Sequence, residues 1–492
     1  MRAAKRIPAF LLVSASAALL GCTVGPNFER PGAPTVMRYT EQTLPPETAS
    51  ADIQGGDAQR FLEGADVPGQ WWTQFGSPAI DQLVDMALKG NPDLDAAQAS
   101  LRQARQNYLA TAGGLQPQVD AKGGIERQRR INDGDTFDLF SASVDVSYAV
   151  DVFGGLRRGL EAQGAVEENT RFELEATYLS LISNVVVTAI QQASLRAQIA
   201  SQMDIINAQQ QQLDLLNQQF ELGAVARGDV LQQQAQLAQT QASLPPLQRN
   251  LEQTRNQLAL LLGRFPADAQ IPIIELTDLS LPTELPLSVP SRLVEQRPDI
   301  RASEATLHQA SALIGVADAN LLPNFALSGS LSASSGTLGE FVSLQNTLLD
   351  LAAGVTQPIF NGGTLRAQQR AAVAQFDRAA AQYRSTVLSS FTDVANVLAA
   401  LQRDAEALQV QLYAEETARQ SLDITTERFQ AGAIAYLALL DAQRTYQQAR
   451  ILLVIAQANR YEDTVALFTA LGGGWWNRQD VREEYATTTP AP

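Results

Sequence analysis

The chain has 492 residues, long enough for two or more domains and for a substantial core. Its 52 Asp and Glu against 36 Lys and Arg leave a net charge of −16, which argues against a nucleic-acid partner, since such a partner selects for a basic face. With one cysteine (Cys22) and one histidine (His308), intrachain disulfides, zinc fingers and histidine-cluster metal sites are excluded, and no metal or cofactor is expected.

Residues 1–21 have the shape of a secretory signal. Arg2, Lys5 and Arg6 precede an apolar run from Ala9 to Leu20, shorter than the roughly 20 residues a spanning helix needs. The run ends in Leu19-Leu20-Gly21-Cys22, which resembles a bacterial lipobox and makes Cys22 the expected lipidation site and mature N-terminus. Thr23 stands where an Asp would resemble an inner-membrane retention signal, so the outer membrane is the expected address. No later segment reads as a spanning helix, so any further passage through lipid has to be a barrel.

Residues 22–76 read as a Pro-rich, irregular, lipidated N-terminal segment, and residues 77–264 as a first repeat. Asn91-Pro92-Asp93-Leu94 opens a helix, and 117–150 reads as a β-hairpin. Within it Phe140, Ala142, Val144, Val146, Tyr148 and Val150 alternate with small polar residues, and Asn132-Asp133-Gly134-Asp135 supplies turn chemistry. Helix follows over 156–263, and its unbroken stretch from Leu156 to Phe220 is about 97 Å long. A tight turn at Leu222-Gly223-Ala224 leads into a returning helix with heptad spacing at Leu244, Leu247, Leu251, Leu258 and Leu261. Pro245-Pro246 predicts a kink or break in it.

Residues 265–290 form a Pro-rich equatorial linker, after which 291–471 repeats the pattern. Arg297-Pro298-Asp299-Ile300 answers Asn91-Pro92-Asp93-Leu94, and a second hairpin spans 323–357. Long helices cover 364–471 with a tight turn at Ala431-Gly432-Ala433, and 472–492 reads as an equatorial segment with a disordered tail. The chain is thus an internal duplication with twofold pseudosymmetry, and the Pro-rich segments read as a small mixed domain around the helices. Trp71-Trp72 and Trp475-Trp476 flank the repeats and read as core packing rather than a membrane interface. His308, in a helical stretch without a partner motif, reads as a surface or packing residue.

Four strands of about ten residues suit a tilted passage through a bilayer, but four cannot close a barrel, and open edges are not tolerated in lipid. If they span, several chains must share one barrel; three chains would supply twelve strands, a number the sequence itself does not fix. Neither a G-x-S-x-G, a P-loop nor an H-E-x-x-H occurs, so no catalytic residue is nominated, though a carboxylate hydrolase of the cell envelope is the alternative of a different class.

These segments together resemble the TolC-like outer-membrane factors, in particular their NodT/OprM-type lipoprotein branch serving RND multidrug efflux systems. The likeness is carried by Cys22-Thr23-Val24-Gly25-Pro26-Asn27-Phe28, Trp71-Trp72 with Phe75-Gly76, the two Pro-Asp motifs, Phe360-Asn361-Gly362-Gly363 and the run from Gly432 through Leu440-Asp441-Ala442-Gln443-Arg444. It implies an α+β membrane protein: a homotrimeric, 12-stranded outer-membrane β-barrel continuous with a long α-helical coiled-coil periplasmic tunnel and a small mixed equatorial domain. It further implies a passive exit duct for small molecules, with a periplasmic adaptor (membrane fusion protein) and an inner-membrane RND transporter as partners. The turns Leu222, Gly223, Ala224 and Ala431, Gly432, Ala433 would be adaptor-docking tips. Asp441 and Arg444 would form the periplasmic gate, with Gln232 and Ala235 at the corresponding places in the first repeat; an ion pair between Asp441 and Arg444 along one helix is the plainer reading of the same residues. Arg227 and Asp229 beside the first tip are further candidates. A type I protein secretion duct and a metal-efflux duct are the alternatives within the same fold; four methionines without a cluster speak against the latter.

Overall fold

The computed structural model describes residues 23–131, 134–343, 346–479 and 481. In chain order the regular elements are β1 (Arg60–Glu63), α1 (Pro78–Gly90), α2 (Pro92–Gly113), β2 (Gln118–Arg129), β3 (Thr136–Val150), α3 (Gly155–Glu221), α4 (Arg227–Ala242) and α5 (Leu244–Leu261). Then follow β4 (Glu284–Leu287), α6 (Pro290–Gln296), α7 (Pro298–Ala319), β5 (Asn324–Ser335), α8 (Leu338–Val342), β6 (Thr347–Thr356), α9 (Thr364–Gln430) and α10 (Tyr436–Ala470). They fall into two compact units, one of residues 1–31, 99–172 and 302–385, the other of residues 32–98, 173–301 and 386–492. The segment read as one piece over 22–76 is therefore divided after Pro31.

The first unit holds a four-stranded antiparallel sheet in the order β2-β3-β5-β6. Its register aligns the alternation of all four strands. Val119 pairs with Val146, Ala121 with Val144 and Ile125 with Phe140; Val144 pairs with Leu331 and Tyr148 with Leu327; Leu331 pairs with Leu349 and Phe325 with Val355. Because side chains alternate with period two, one face of the sheet is apolar from edge to edge. The other face carries Asp120, Asp145, Ser330 and Asp350 in a single row. The strands are longer than the alternation alone marks, and α8, which Thr337 caps by accepting from the Glu340 amide, is a helix the sequence reading lacks. Asn132 and Asp133 of the predicted turn lie outside the described residues.

The second unit gathers the Pro-rich segments. β1 pairs with β4 in parallel, and Trp71 stacks on Phe468 with ring centroids 5.3 Å apart. Trp71, Trp72 and Trp475 are buried in the core, whereas Trp476 is half-buried and donates to the Asp66 carboxylate at the surface. The two Pro-Asp motifs do the same mechanical job by different chemistry. Asn91 accepts from the amides of Asp93 and Leu94, starting α2, while its Nδ2 donates to Leu261 O, the last residue of α5. Arg297 pairs with Asp299 at the start of α7 and donates to Ala470 O, the last residue of α10. Each ties off the unpaired carbonyls at the end of a returning helix.

α3 and α9 each run 67 residues, about 100 Å. α3 contains an 18-residue window that by length and composition is apolar enough to span a membrane, which corrects the expectation of no such segment past the leader. Half of that window is buried inside the protein, and along the same helix Ile182, Val185, Val186, Ala189 and Ile190 are buried. The first returning helix breaks at Ser243, with Pro245 and Pro246 in the opening turn of α5, where proline lacks no needed donor. α10 has no proline and runs unbroken.

Candidate functional site

Three places carry the residues singled out in the sequence. The first is the pair of tight turns. Gly223 and Gly432 have φ of +74° and +69°, the left-handed region in which a side chain is strained. At both turns two backbone bonds close the preceding helix: Gly223 N donates to Phe220 O and Ala224 N to Gln219 O, and Gly432 N donates to Phe429 O and Ala433 N to Arg428 O. A Cβ added to either glycine would meet nothing within 4 Å, so the conformation and not crowding requires glycine. Leu222 is 85% exposed, and Ala224, Ala431, Gly432 and Ala433 are exposed with it. Beneath the turns Leu213, Leu216, Val230, Leu237, Tyr436, Leu439 and Leu440 form an apolar cluster. Asp229 does a local job, accepting from the Ala226 amide at the start of α4.

The second place is the α4–α10 contact. Asp441 and Arg444 are exposed on α10, and among the described residues they form no ion pair with each other. Instead Arg444 Nε donates to Gln236 Oε1 on α4 at 2.7 Å. Two turns earlier on α10, the Tyr436 hydroxyl donates to Gln233 Oε1, and Gln233 Nε2 donates to Gln209 O on α3 at 2.8 Å. Gln233 is fully buried and Gln236 nearly so. Burial first, and the nearby Asp229 second, push the Tyr436 phenol above its ordinary value, so it remains a donor. A charged and a neutral hydrogen bond therefore tie α10 to α4. The sequence reading passed over Gln233 and Gln236 because a run of glutamines on a long helix looks like a solvated face. Gln232 and Ala235, the positions a strict repeat would nominate, are both exposed, so the partners sit one residue further on.

The third place is the N-terminal segment. Cys22 lies outside the described residues, but the chain from Thr23 is held firmly. Arg158 on α3, 4% exposed, donates to Val24 O, Gly25 O and Asn27 Oδ1 and pairs with Glu161 at 2.7 Å. Gly25 packs so close to Gly315 that an added Cβ would lie 2.4 Å from its Cα. Phe28 stacks on His308 at 4.4 Å between centroids, and His308 Nε2 lies 3.0 Å from Glu161 Oε1. Burial disfavours the Glu161 carboxylate, but hydrogen bonds from Arg158 and His308 outweigh it and hold its pKa below the ordinary value. His308 is thus a packing residue with a specific carboxylate partner.

A family model described as outer membrane efflux protein matches residues 83–264 and 289–473. The chain is 32% identical over 444 residues to the pyoverdine export outer membrane protein OpmQ of Pseudomonas putida, covering 88% of this chain and 94% of the relative. It is 28% identical over 463 residues to the cation efflux system protein CusC of Escherichia coli, covering 93% and 97%. Among solved structures, the outer-membrane channel OprN matches with a TM-score of 0.82 at 30% identity, covering 92% of this chain and all of that one.

Proposed function

The chain belongs to the outer membrane efflux protein family and is an outer-membrane efflux channel; we propose that it works as a homotrimer whose three sheets close one 12-stranded barrel. The observation that carries this reading is the isolated four-stranded sheet. Its strands are 12, 15, 12 and 10 residues long, enough to cross a bilayer when tilted, and β2 and β6 are left as free edges. A free edge in lipid leaves backbone donors and acceptors unpaired at several kcal/mol each, so the edges must pair with those of other copies. The apolar face then meets lipid, and the row of Asp120, Asp145, Ser330 and Asp350 faces the lumen. Equal lengths in α2 and α7, β2 and β5, and α3 and α9 support an origin by internal duplication.

The helices form the periplasmic tunnel in this reading. The turns at Leu222-Gly223-Ala224 and Ala431-Gly432-Ala433 are its far tips, where a periplasmic adaptor docks and connects the channel to an RND-type inner-membrane transporter. The gate is Asp441 and Arg444, with the closed position of α10 held by the bonds from Arg444 to Gln236 and from Tyr436 to Gln233. Cys22 carries the lipid anchor, a short way before the residues that Arg158 holds at Val24, Gly25 and Asn27. Export of pyoverdine or of cations, as the names of OpmQ and CusC describe for those proteins, are two of the substrate readings the likenesses offer. The single cysteine and four methionines give little soft-metal ligation, so the channel passes what its pump delivers rather than selecting it.

The test is a photo-crosslinking residue at Ala433 in living cells. Capture of an adaptor paired with an RND pump supports the reading. Capture of an adaptor from an ABC exporter would move it to protein secretion, and capture of neither by a membrane-assembled protein would overturn the assignment of the tips.

A further inference from the structure

A cavity of about 280 Å³ lies between α3, α9 and α10. Ile205, Gln209, Leu422, Gln443, Tyr446 and Arg450 are among the side chains that line it. Its wall contains polar groups the fold leaves unused. Gln209 is 2% exposed, and among the described residues neither its Nε2 nor its Oε1 has a hydrogen-bond partner; the Gln443 Oε1 lacks one too. Buried amide atoms in this state carry the full penalty of an unmade bond, and few native groups are left so. The volume is just below the range of roughly 300–1,000 Å³ typical of small-molecule sites.

We propose that this cavity binds a small neutral molecule bearing a carboxamide or peptide group. A carboxamide needs an acceptor for its NH2 and a donor for its carbonyl, and another amide offers both at once. Of the two charges in the wall, Arg450 is engaged, its Nη1 lying 3.5 Å from Glu415 Oε1, and Asp204 is exposed to solvent, so the buried amides rather than a free buried charge select the occupant. Ile205 and Leu422 supply apolar surface for a branched aliphatic group. Both glutamines line the cavity, and the atoms without partners, both amide atoms of Gln209 and the Oε1 of Gln443, are themselves closed off from water. An occupant held by Gln209 and Gln443 joins α3 to α10 beside Asp441 and Arg444, so it resists movement of α10. That consequence rests on the gate reading; binding itself does not.

The experiment titrates N-acetyl-leucinamide against the full-length protein in lipid nanodiscs, with binding read by saturation-transfer NMR. N-acetyl-leucine methyl ester, of similar shape but without the NH2, is the comparison. The expected result is saturable binding of the amide, with the ester and the Gln209→Leu variant each weaker by about tenfold or more. Ala208→Trp, which puts bulk at an exposed lining position, abolishes binding and decides the matter if Gln209→Leu fails to assemble. No saturable binding to the wild type, equal binding of amide and ester, or binding unaffected by Ala208→Trp would overturn the proposal and leave water as the partner of these amides. Because no arm depends on conductance, the site and the gate can fail separately.

Discussion

The ties between α4 and α10 give the gate a magnitude. Arg444→Met removes a charge-assisted bond of 2.7 Å and leaves the Gln236 carbonyl, 5% exposed, without a donor. Such a loss costs about 1.5–3 kcal/mol. Tyr436→Phe removes the hydroxyl that serves the fully buried Gln233 and costs about 1–3 kcal/mol. The two sites share one helix contact, so strict additivity is not assumed. Taking the lower ends together, about 2.5 kcal/mol is withdrawn from the closed arrangement of each chain, a shift of roughly 70-fold in its closed-to-open ratio. Single-channel conductance in a planar bilayer reads this directly. Wild type should stay mostly closed, each single variant should raise the open time, and the double variant should open most. Asp441→Ala alone leaves both ties in place and should open it least. A double variant that conducts like wild type while melting at a lower temperature would refute the reasoning, because the bonds would then persist in the open state and serve only stability.

Other consequences are open to measurement. Arg158→Met leaves the carbonyls of Val24 and Gly25 without their buried donor and Glu161 without its cation; a loss of about 3–5 kcal/mol is expected locally. It should appear as faster hydrogen exchange at Val24–Phe28, and unchanged exchange there would remove Arg158 as the anchor. Gly432→Ala should lower stability by about 1–2 kcal/mol through its φ of +69° alone, read as a lower melting temperature; no change would mean the turn relaxes. At Asp463 on α10, burial first and the neighbouring Asp404 second raise the carboxyl pKa from 3.8 to about 7, with Arg460 partly opposing. The folded state therefore binds a proton the unfolded state has released, so stability is fully present below about pH 4 and falls as pH rises to 7. Fully expressed, the shift is worth about 4 kcal/mol; Asp463 is only partly buried, and screening cuts that to about 1–2 kcal/mol. Asp463→Asn should flatten the decline of melting temperature between pH 5 and pH 8, and an equally steep decline in the variant would assign it to other groups.

The parts of the fold legible in the sequence are those governed by local periodicity. Phe140 to Val150 alternates in one strand, the prolines at 245 and 246 break one returning helix, and Gly223 and Gly432 mark the turns. What the sequence hid depends on partners far along the chain. Arg444 has Asp441 three residues away, yet it bonds Gln236, 208 residues distant, because the α4–α10 packing presents a nearly buried carbonyl that is more in need of a donor than an exposed carboxylate. The likeness of Asn91 and Arg297 as helix ties was invisible for the same reason: an amide and a guanidinium share no pattern, only the carbonyls of Leu261 and Ala470. The apolar stretch of α3 around Val185 shows the limit of composition, since burial in protein and burial in lipid select the same residues.

The central claim is that the free edges of β2 and β6 are closed by other copies of the chain. The most direct test is the mass of the particle extracted from the outer membrane into lipid nanodiscs, measured intact. Three copies per particle is the predicted result. A single copy, stably inserted in lipid, would contradict the account, because a four-stranded sheet with two open edges would then be standing alone in the bilayer.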